Sequence, residues 1–408
     1  MSSPSTSAML YSATVNPTAI FGAVPDDAKD KKHHLKDHKG FTNPWNSFGK
    51  AEADAVPLKM ARRHISGNAH SPNTTPPTIP VHKPNFPSSR LTPTLRATWL
   101  GHACYYVEFP DGFRALFDPV FSERCSPFSW LGPKRYTEAP CQVEDIPAYP
   151  LVIDAVFISH NHYDHMDHPT LTKIAKLHPN AHFFAPLGNK QWFIASGINN
   201  VTELDWWEEC GLELSLNNQN AEARTDGDIK SSGEGNDPTE ISAKIGCLPA
   251  QHMSSRSLLD RNKTLWASWS VESGGKKVWF AGDTGYRTIP ESTSTTPPTP
   301  QPSDLPTCPA FCSIGANRGP FDLGLIPIGA YEPRYIFSPM HADPFDAVDI
   351  FLDTKCKRAM AIHWGTWVLT EEEVLEPPRL LKEALKAKDI KAEGVFDVCD
   401  IGQSTLFE

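Results

Sequence analysis

An apolar run, Ala155–Ile158, leads directly into Ser159-His160-Asn161-His162-Tyr163-Asp164-His165-Met166-Asp167-His168. Residues two apart in an extended chain point to the same side, so His160 and His162 project together. A turn toward a helix then sends Asp164 and His165 in from another direction. One short loop thereby serves two neighbouring cations. Imidazole with carboxylate suits Zn²⁺ and also admits Fe or Mn. His168, the last histidine of the series, is the weaker candidate.

Two sites need partners from elsewhere in the chain. Three candidates share the loop's placement at the end of an apolar run. His252 follows Ile245–Ala250 and Gln251, Asp283 follows Val278–Gly282, and His363 follows Ala359–Ile362. Singly, each also reads as a turn aspartate or a satisfied core histidine. Jointly they complete two four-donor sets: His160, His162, His252 and Asp283, then Asp164, His165, Asp283 and His363, with Asp283 bridging. Two cations roughly 3.5–4 Å apart can hold both non-bridging oxygens of a phosphodiester and bring bound water to a pKa of roughly 7. Both cations would keep room for a shared water or hydroxide.

Elements that would carry these residues follow from the apolar runs. Strands are expected at Arg96–Leu100, Cys104–Phe109, Arg114–Phe117, Ile153–Ser159, His182–Ala185, Thr264–Val271, Lys277–Ala281, Leu323–Ile326 and Arg358–Ile362. Helices are expected at Thr170–Leu177, after Asp343-Pro344 and over Arg379–Lys388. Many strands with interspersed helices imply an α/β (α+β) arrangement of sheets covered by helices.

The 408 residues include 38 prolines, well above the ~5% of ordinary proteins. Many fall in 71–93, so residues 1–94 read as a largely disordered tail ending in an extended linker. One aromatic arm stands out within it, Gly40–Phe48. Residues 95–408 read as one catalytic domain with disordered insertions near 218–240 and 292–304, which have almost nothing to bury. The first insertion holds six acidic residues against Arg224 and Lys230, and so carries much of the net charge of −10. The acid excess argues against a nucleic-acid partner. No apolar run approaches the ~20 residues of a membrane span. The N-terminus lacks signal-peptide character, and nine cysteines without a Cys-x-x-Cys pair fit a reducing compartment. A protein of a reducing, cytoplasmic compartment is the expectation, with organelle association open.

The motif His160-x-His162-x-Asp164-His165 with downstream His, Asp and His resembles the metallo-β-lactamase superfamily. Within it, the chain resembles the family of phospholipases D that hydrolyse N-acylphosphatidylethanolamine. The resemblance rests on Trp99–Ala103, Gly132–Arg135, Ile158–His165, Leu204–Glu208, Phe280–Tyr286, Gly319–Asp322, Ile326–Arg334 and Ala361–Thr366, with Phe41–Trp45 as the N-terminal arm. It covers roughly residues 95–390, apart from the insertions.

The resemblance implies a four-layer αββα sandwich and two Zn²⁺ per chain held by the seven residues above. It makes Asp283, Asp164 and His341 catalytic, with Tyr163 and His341 on the substrate's phosphate and head group. It implies release of N-acylethanolamine and phosphatidic acid from a membrane phospholipid, and a homodimer that receives the lipid. Phe41, Trp45, Phe48, Phe128, Trp130 and Leu131 are candidates for a greasy surface. Ser255 stands where the mammalian enzyme carries a lysine linked to bile-acid binding, so that regulation is not implied. Alternatives are another hydrolase of the superfamily, acting on a lactone or a different phosphodiester, or a metal-binding protein without catalysis.

Overall fold

Strands at the core of this protein are buried on both faces, and their side chains alternate between two apolar layers. Along β5 (Ala155–Phe157) and the residue after it, Ala155 and Phe157 enter one cluster while Val156 and Ile158 enter another. In β6 (His182–Pro186), Phe184 faces the first cluster and Phe183 and Ala185 the second. Such two-sided burial needs a second sheet on one face and helices on the other. The computed structural model describes residues 11–17, 22, 24–36, 39–87, 89–147, 152–216, 240–257, 259–299 and 304–408.

One sheet joins β2 (Leu95–Trp99), β3 (Tyr105–Glu108), β4 (Arg114–Phe117), β5, β6 and β7 (Val201–Leu204), with β15 (Ser404–Phe407) beside β2. The other runs in the order β1 (Tyr11–Asn16), β8 (Glu209–Leu216), β9 (Glu240–Leu248), β10 (Ser268–Ser273), β11 (Lys276–Phe280), β12 (Leu323–Pro327), β13 (Ala359–Ile362) and β14 (Phe396–Asp397). Rings interdigitate between the sheets. Phe117 meets Phe280 at 4.9 Å, and Phe157 meets Trp269 at 5.7 Å between ring centroids. Burying a side chain of this size contributes about 1.5–3 kcal/mol.

Helices cover the outer faces. Leu171 and Ile174 of α3 (His168–Leu177) and Phe193 of α4 (Lys190–Ala195) pack on the first sheet. α5 (Ala310–Asn317), α7 (Pro344–Asp353) and α8 (Glu376–Ala387) cover the second. The expected caps form: Asp167 accepts from the Thr170 amide and Asp343 from the Asp346 amide. The αββα sandwich is therefore the observed fold.

Register decides where the site falls. β4 and β5 are parallel, and β2 runs the same way because two antiparallel steps separate it from β4. β11, β12 and β13 are parallel, and β9 runs with them by the same rule. The residues following these strands therefore gather at one edge of the sandwich, the position where α/β folds place ligands.

Several expectations are corrected. The N-terminal region is not a free tail where it is described. It holds α1 (Lys50–Asp54) and α2 (Val56–Ile65), and it buries His33, Phe41, Ser47, Ala53, Ile79 and Arg90. The proline-rich stretch is extended, as expected, but lies against the domain: Val81 bridges Ile401 and Phe86 packs edge-on against Tyr106. Its docking depends on pairings across the chain, which local composition does not reveal. Residues 218–239 of the 218–240 insertion lie outside the described residues, as do 300–303. Near 292–299, Glu291–Thr293 forms a 3₁₀ turn and Thr296 donates to Glu332. The expected strand from Thr264 begins only at Ser268, because the Leu265 amide bonds Leu187 and the Trp266 indole bonds the Ala250 carbonyl. Strands β1, β7, β8, β9, β14 and β15 and helices α1, α2, α4, α5 and α6 (Arg334–Phe337) are additional to the expected elements.

Candidate metal centre

All seven expected ligands meet at that sheet edge. His160, His162 and His252 place donor atoms within 4.8 Å of one another, and so do Asp164, His165 and His363, joined by His102. Asp283 lies between the two sets. Its Oδ2 is 3.9 Å from His160 Nε2, 3.7 Å from His252 Nε2, 3.2 Å from His165 Nε2 and 3.0 Å from His363 Nε2. Asp283 Oδ2 thus stands within 4 Å of histidines from both sets. Gly282 permits this approach: it has φ 61°, and a Cβ there would sit 2.5 Å from Ser159 Cβ.

Outer hydrogen bonds fix the tautomers. Ser159 Oγ donates to Asp118 at 2.5 Å, so it must accept from His160 Nδ1 at 2.9 Å. His165 Nδ1 donates to Asp118 Oδ2 at 2.6 Å, and His252 Nδ1 donates to the Met340 carbonyl at 2.9 Å. Each bond spends the outer nitrogen as a donor and leaves Nε2 facing inward, the arrangement that metal-binding histidines adopt. Several inward atoms lack partners, and those of His160 and His252 meet only His162 Nδ1. His165 Nε2, both ring nitrogens of His363, Asp283 Oδ1 and His341 Nδ1 are buried without a hydrogen bond. His160 Nε2 and His162 Nδ1 stand 2.7 Å apart. Buried polar atoms left this way are costly unless a cation takes them, and the donor set of imidazole and carboxylate fits Zn²⁺ or another transition metal.

Electrostatics agree with that fit. Burial alone would raise Asp164 and Asp283, but the surrounding imidazoles outweigh it and hold both carboxyls well below their usual range. Burial pushes His165 and His363 down, yet Asp283 and Asp164 lift His165 well above its ordinary value and His363 to about 9. His160 and His252 are pushed well below theirs by burial. Histidine binds a metal in its neutral form, so metal uptake here is coupled to proton release.

The proposed substrate contacts border the centre. His341 Nδ1 is 3.9 Å from Asp283 Oδ2, and burial lowers its imidazole to about 4. Arg334, ion-paired with Asp343 and Asp346, donates to the His341 carbonyl. Tyr163 lies under the Arg256 guanidinium, 3.9 Å from its ring, and lines a cavity of about 660 Å³ with Ser122, Trp192 and Arg256. His168 starts α3, faces solvent and does not join the centre.

Sequence reasoning did not assign roles to His102, Asp118 or Ser159. His102 and Asp118 follow β2 and β4, so the strand-end rule that located the other ligands also points to them. The greasy candidates divide. Phe41 is buried and Trp45 stacks on Trp206 at 5.3 Å, so these rings dock on the protein itself. Phe128, Trp130 and Leu131 are 50%, 72% and 53% exposed. All nine cysteines are free thiols. Among the described residues, no helix is long and apolar enough to cross a membrane.

Residues 114–364 match the Beta-lactamase superfamily domain. The chain is 35% identical over 332 residues to N-acyl-phosphatidylethanolamine-hydrolyzing phospholipase D 1 of Caenorhabditis elegans, covering 80% of each protein. It is 34% identical over 291 residues to the mitochondrial N-acyl-phosphatidylethanolamine-hydrolyzing phospholipase D of Saccharomyces cerevisiae, covering 70% of this chain and 50% of that one. Among solved structures, Igni18, a metallo hydrolase of Ignicoccus hospitalis, is 17% identical and aligns with a TM-score of 0.47 over 77% of this chain and 99% of its own. The domain match and the identity to the two phospholipases D show the family: the chain belongs to the N-acylphosphatidylethanolamine-hydrolysing phospholipase D family of the metallo-β-lactamase superfamily.

Proposed function

We propose that the protein is a zinc-dependent phosphodiesterase of phospholipase D type, hydrolysing N-acylphosphatidylethanolamine to N-acylethanolamine and phosphatidic acid. The observation that carries this reading is the convergence of all seven donors in a chain 35% identical to an enzyme named for that hydrolysis.

When bound, two zinc ions supply Lewis acidity toward the phosphodiester and an acidified water. Asp283, set between the two histidine groups with Oδ1 free of hydrogen bonds, orients the attacking water toward phosphorus. The new P–O bond leaves phosphatidic acid, and the bond to the ethanolamine oxygen breaks. His341, neutral near pH 7, offers a hydrogen bond to the phosphoryl oxygen or the departing alkoxide. Asp164 holds its carboxylate in the second donor set. Tyr163, at the 660 Å³ cavity, borders the head group.

The lipid is reached by peripheral contact with a membrane surface through the exposed Phe128, Trp130 and Leu131. Aromatic rings favour the bilayer interface. A homodimer and a cytoplasmic or organelle-surface location complete the proposal, the latter supported by the mitochondrial name of the yeast relative.

The test is zinc-reconstituted protein with N-acylphosphatidylethanolamine vesicles, a lactone and bis-p-nitrophenyl phosphate, both lipid products being quantified by mass spectrometry. Equimolar N-acylethanolamine and phosphatidic acid are expected. Lactone turnover without lipid cleavage would replace the proposal with another hydrolase of the superfamily. Vesicle sedimentation should weaken in Trp130→Ala and stay unchanged in Trp45→Ala. Sedimentation velocity reads the oligomer.

A further inference from the structure

His102 lies in the turn after β2, buried, with φ 50°. That left-handed conformation is uncommon for a residue with a Cβ, and three bonds hold it. The His102 amide donates to Thr366 Oγ1 at 2.7 Å. Its carbonyl accepts from the His363 amide at 3.0 Å and from the Trp99 indole at 2.8 Å. The turn is thus tied to the loop that carries the ligand His363. The imidazole packs against His363, 4.2 Å between centroids, and edge-on against Trp367 at 4.8 Å. This points Nε2 at Asp164 Oδ2, 3.0 Å away.

His102 shares a four-donor group with Asp164, His165 and His363, so it could be a fourth ligand or a support. The hydrogen bonds separate these roles. Within this donor group the other two histidines, His165 and His363, keep Nε2 unspent: these atoms lie 3.3 and 3.4 Å from Asp164 Oδ2 without bonding it. His102 spends Nε2 on the carboxylate. A carboxylate only accepts, so His102 Nε2–H is the donor.

We propose that His102 is a positioning residue, whose Nε2–H holds the Asp164 carboxylate in place for the second cation. The proposal rests on the two-metal reading of the centre. Outer-shell partners of this kind are typically worth 10–100-fold in metal affinity or activity.

Glutamine carries an amide nitrogen near the position of histidine Nε2, whereas asparagine reaches only the position of Nδ1. The test is therefore chelator-competition titration of wild type, His102→Gln and His102→Asn with Zn²⁺, together with the visible spectra of their Co²⁺ forms. Wild type should take up two ions. His102→Asn should weaken the second ion by about 10–100-fold and leave the first unchanged, with an altered Co²⁺ spectrum. His102→Gln should stay close to wild type in both. Equal losses in the two variants would overturn the proposal, because a direct ligand or a packing role is not rescued by an amide. Wild-type affinity in His102→Asn would also overturn it. A wild type that binds one ion would instead fail the two-metal reading, and the proposal with it. Should His102→Asn not fold, Thr366→Val provides the second variant: it frees the His102 backbone and keeps every ligand. A smaller loss confined to the second ion is expected there, and an unchanged second ion would overturn the proposal.

Discussion

At Asp205, two imidazoles and an ammonium point straight at one carboxylate. His33 Nε2 lies 2.7 Å from Oδ1, while His34 Nε2 at 2.9 Å and Lys31 Nζ at 2.8 Å share Oδ2. At Asp283, the imidazoles of His165 and His363 approach to 3.2 and 3.0 Å, yet their Nε2 atoms make no hydrogen bond and Asp283 Oδ1 has none. Both set imidazoles around a buried aspartate. The Asp205 cluster is saturated and already holds a cation of its own, Lys31, so it latches the N-terminal region to the sandwich. The Asp283 cluster is unsaturated: His165 Nε2, both ring nitrogens of His363 and Asp283 Oδ1 make no hydrogen bond. Donor composition therefore does not separate a metal centre from a latch; the direction in which the hydrogen bonds are spent does.

Replacing the bridge should break the comparison most severely. Asp283→Asn is expected to lose turnover by more than the ~10–100-fold typical of an outer-shell change, with reduced metal content and an intact fold by circular dichroism. Retained activity in a metal-loaded Asp283→Asn protein would sink the assignment of Asp283. A step outward, Asp118→Ala removes the acceptor for both His165 Nδ1 and Ser159 Oγ. Its metal affinity should fall by about 10–100-fold, read by chelator competition. An unchanged affinity would mean that the tautomers are not set from Asp118.

The latch should respond in stability and not in metal. Asp205→Ala strands the buried His33, and the loss of charge-assisted hydrogen bonds is expected to cost about 1–3 kcal/mol in urea unfolding. Metal content should stay at the wild-type value. Loss of one ion from Asp205→Ala would show that this cluster, too, binds a cation.

The two clusters also differ in how far the sequence revealed them. The gathering of the seven candidate ligands was legible because each follows an apolar strand, and strands that run together deliver their ends to one edge. The sandwich was legible from the same runs. β8 and β9 were not singled out, although Cys210, Leu212 and Leu214 alternate inward along β8. The latch was illegible for a physical reason: His33 and Asp205 are separated by 172 positions, and His33-His34 stands in a charged, polar stretch where Leu35 alone makes no apolar run to mark it as buried. The aromatic arm shares this history. Trp45 stacks on Trp206, beside Asp205, and Asn43 donates to the carbonyl of the ligand His252 at 2.8 Å. The region read as a tail therefore backs the metal centre from behind.

Proton linkage gives the smallest expected effect and the finest test of the latch. Burial holds the His33 imidazole below its ordinary value of 6.5, against the pull of Asp205. The unfolded chain thus binds this proton more readily than the folded one. Stability from His33 is present above pH 6.5 and drains as pH falls through that value toward the lower folded one. Burial opposes the charge on Asp205, but His33 and Lys31 hold it far below the carboxylate range, so its own contribution is lost only in strong acid. His178, lowered to about 4 by burial, drains in the same direction and remains in any His33 variant. His33→Gln keeps a donor toward Asp205 and removes the titration. Urea unfolding free energies measured from about pH 7 to about pH 5 should fall less steeply in His33→Gln than in wild type. Identical slopes would mean that His33 is no better shielded in the folded protein than in the unfolded chain, and that the latch holds by shape and by Lys31 alone.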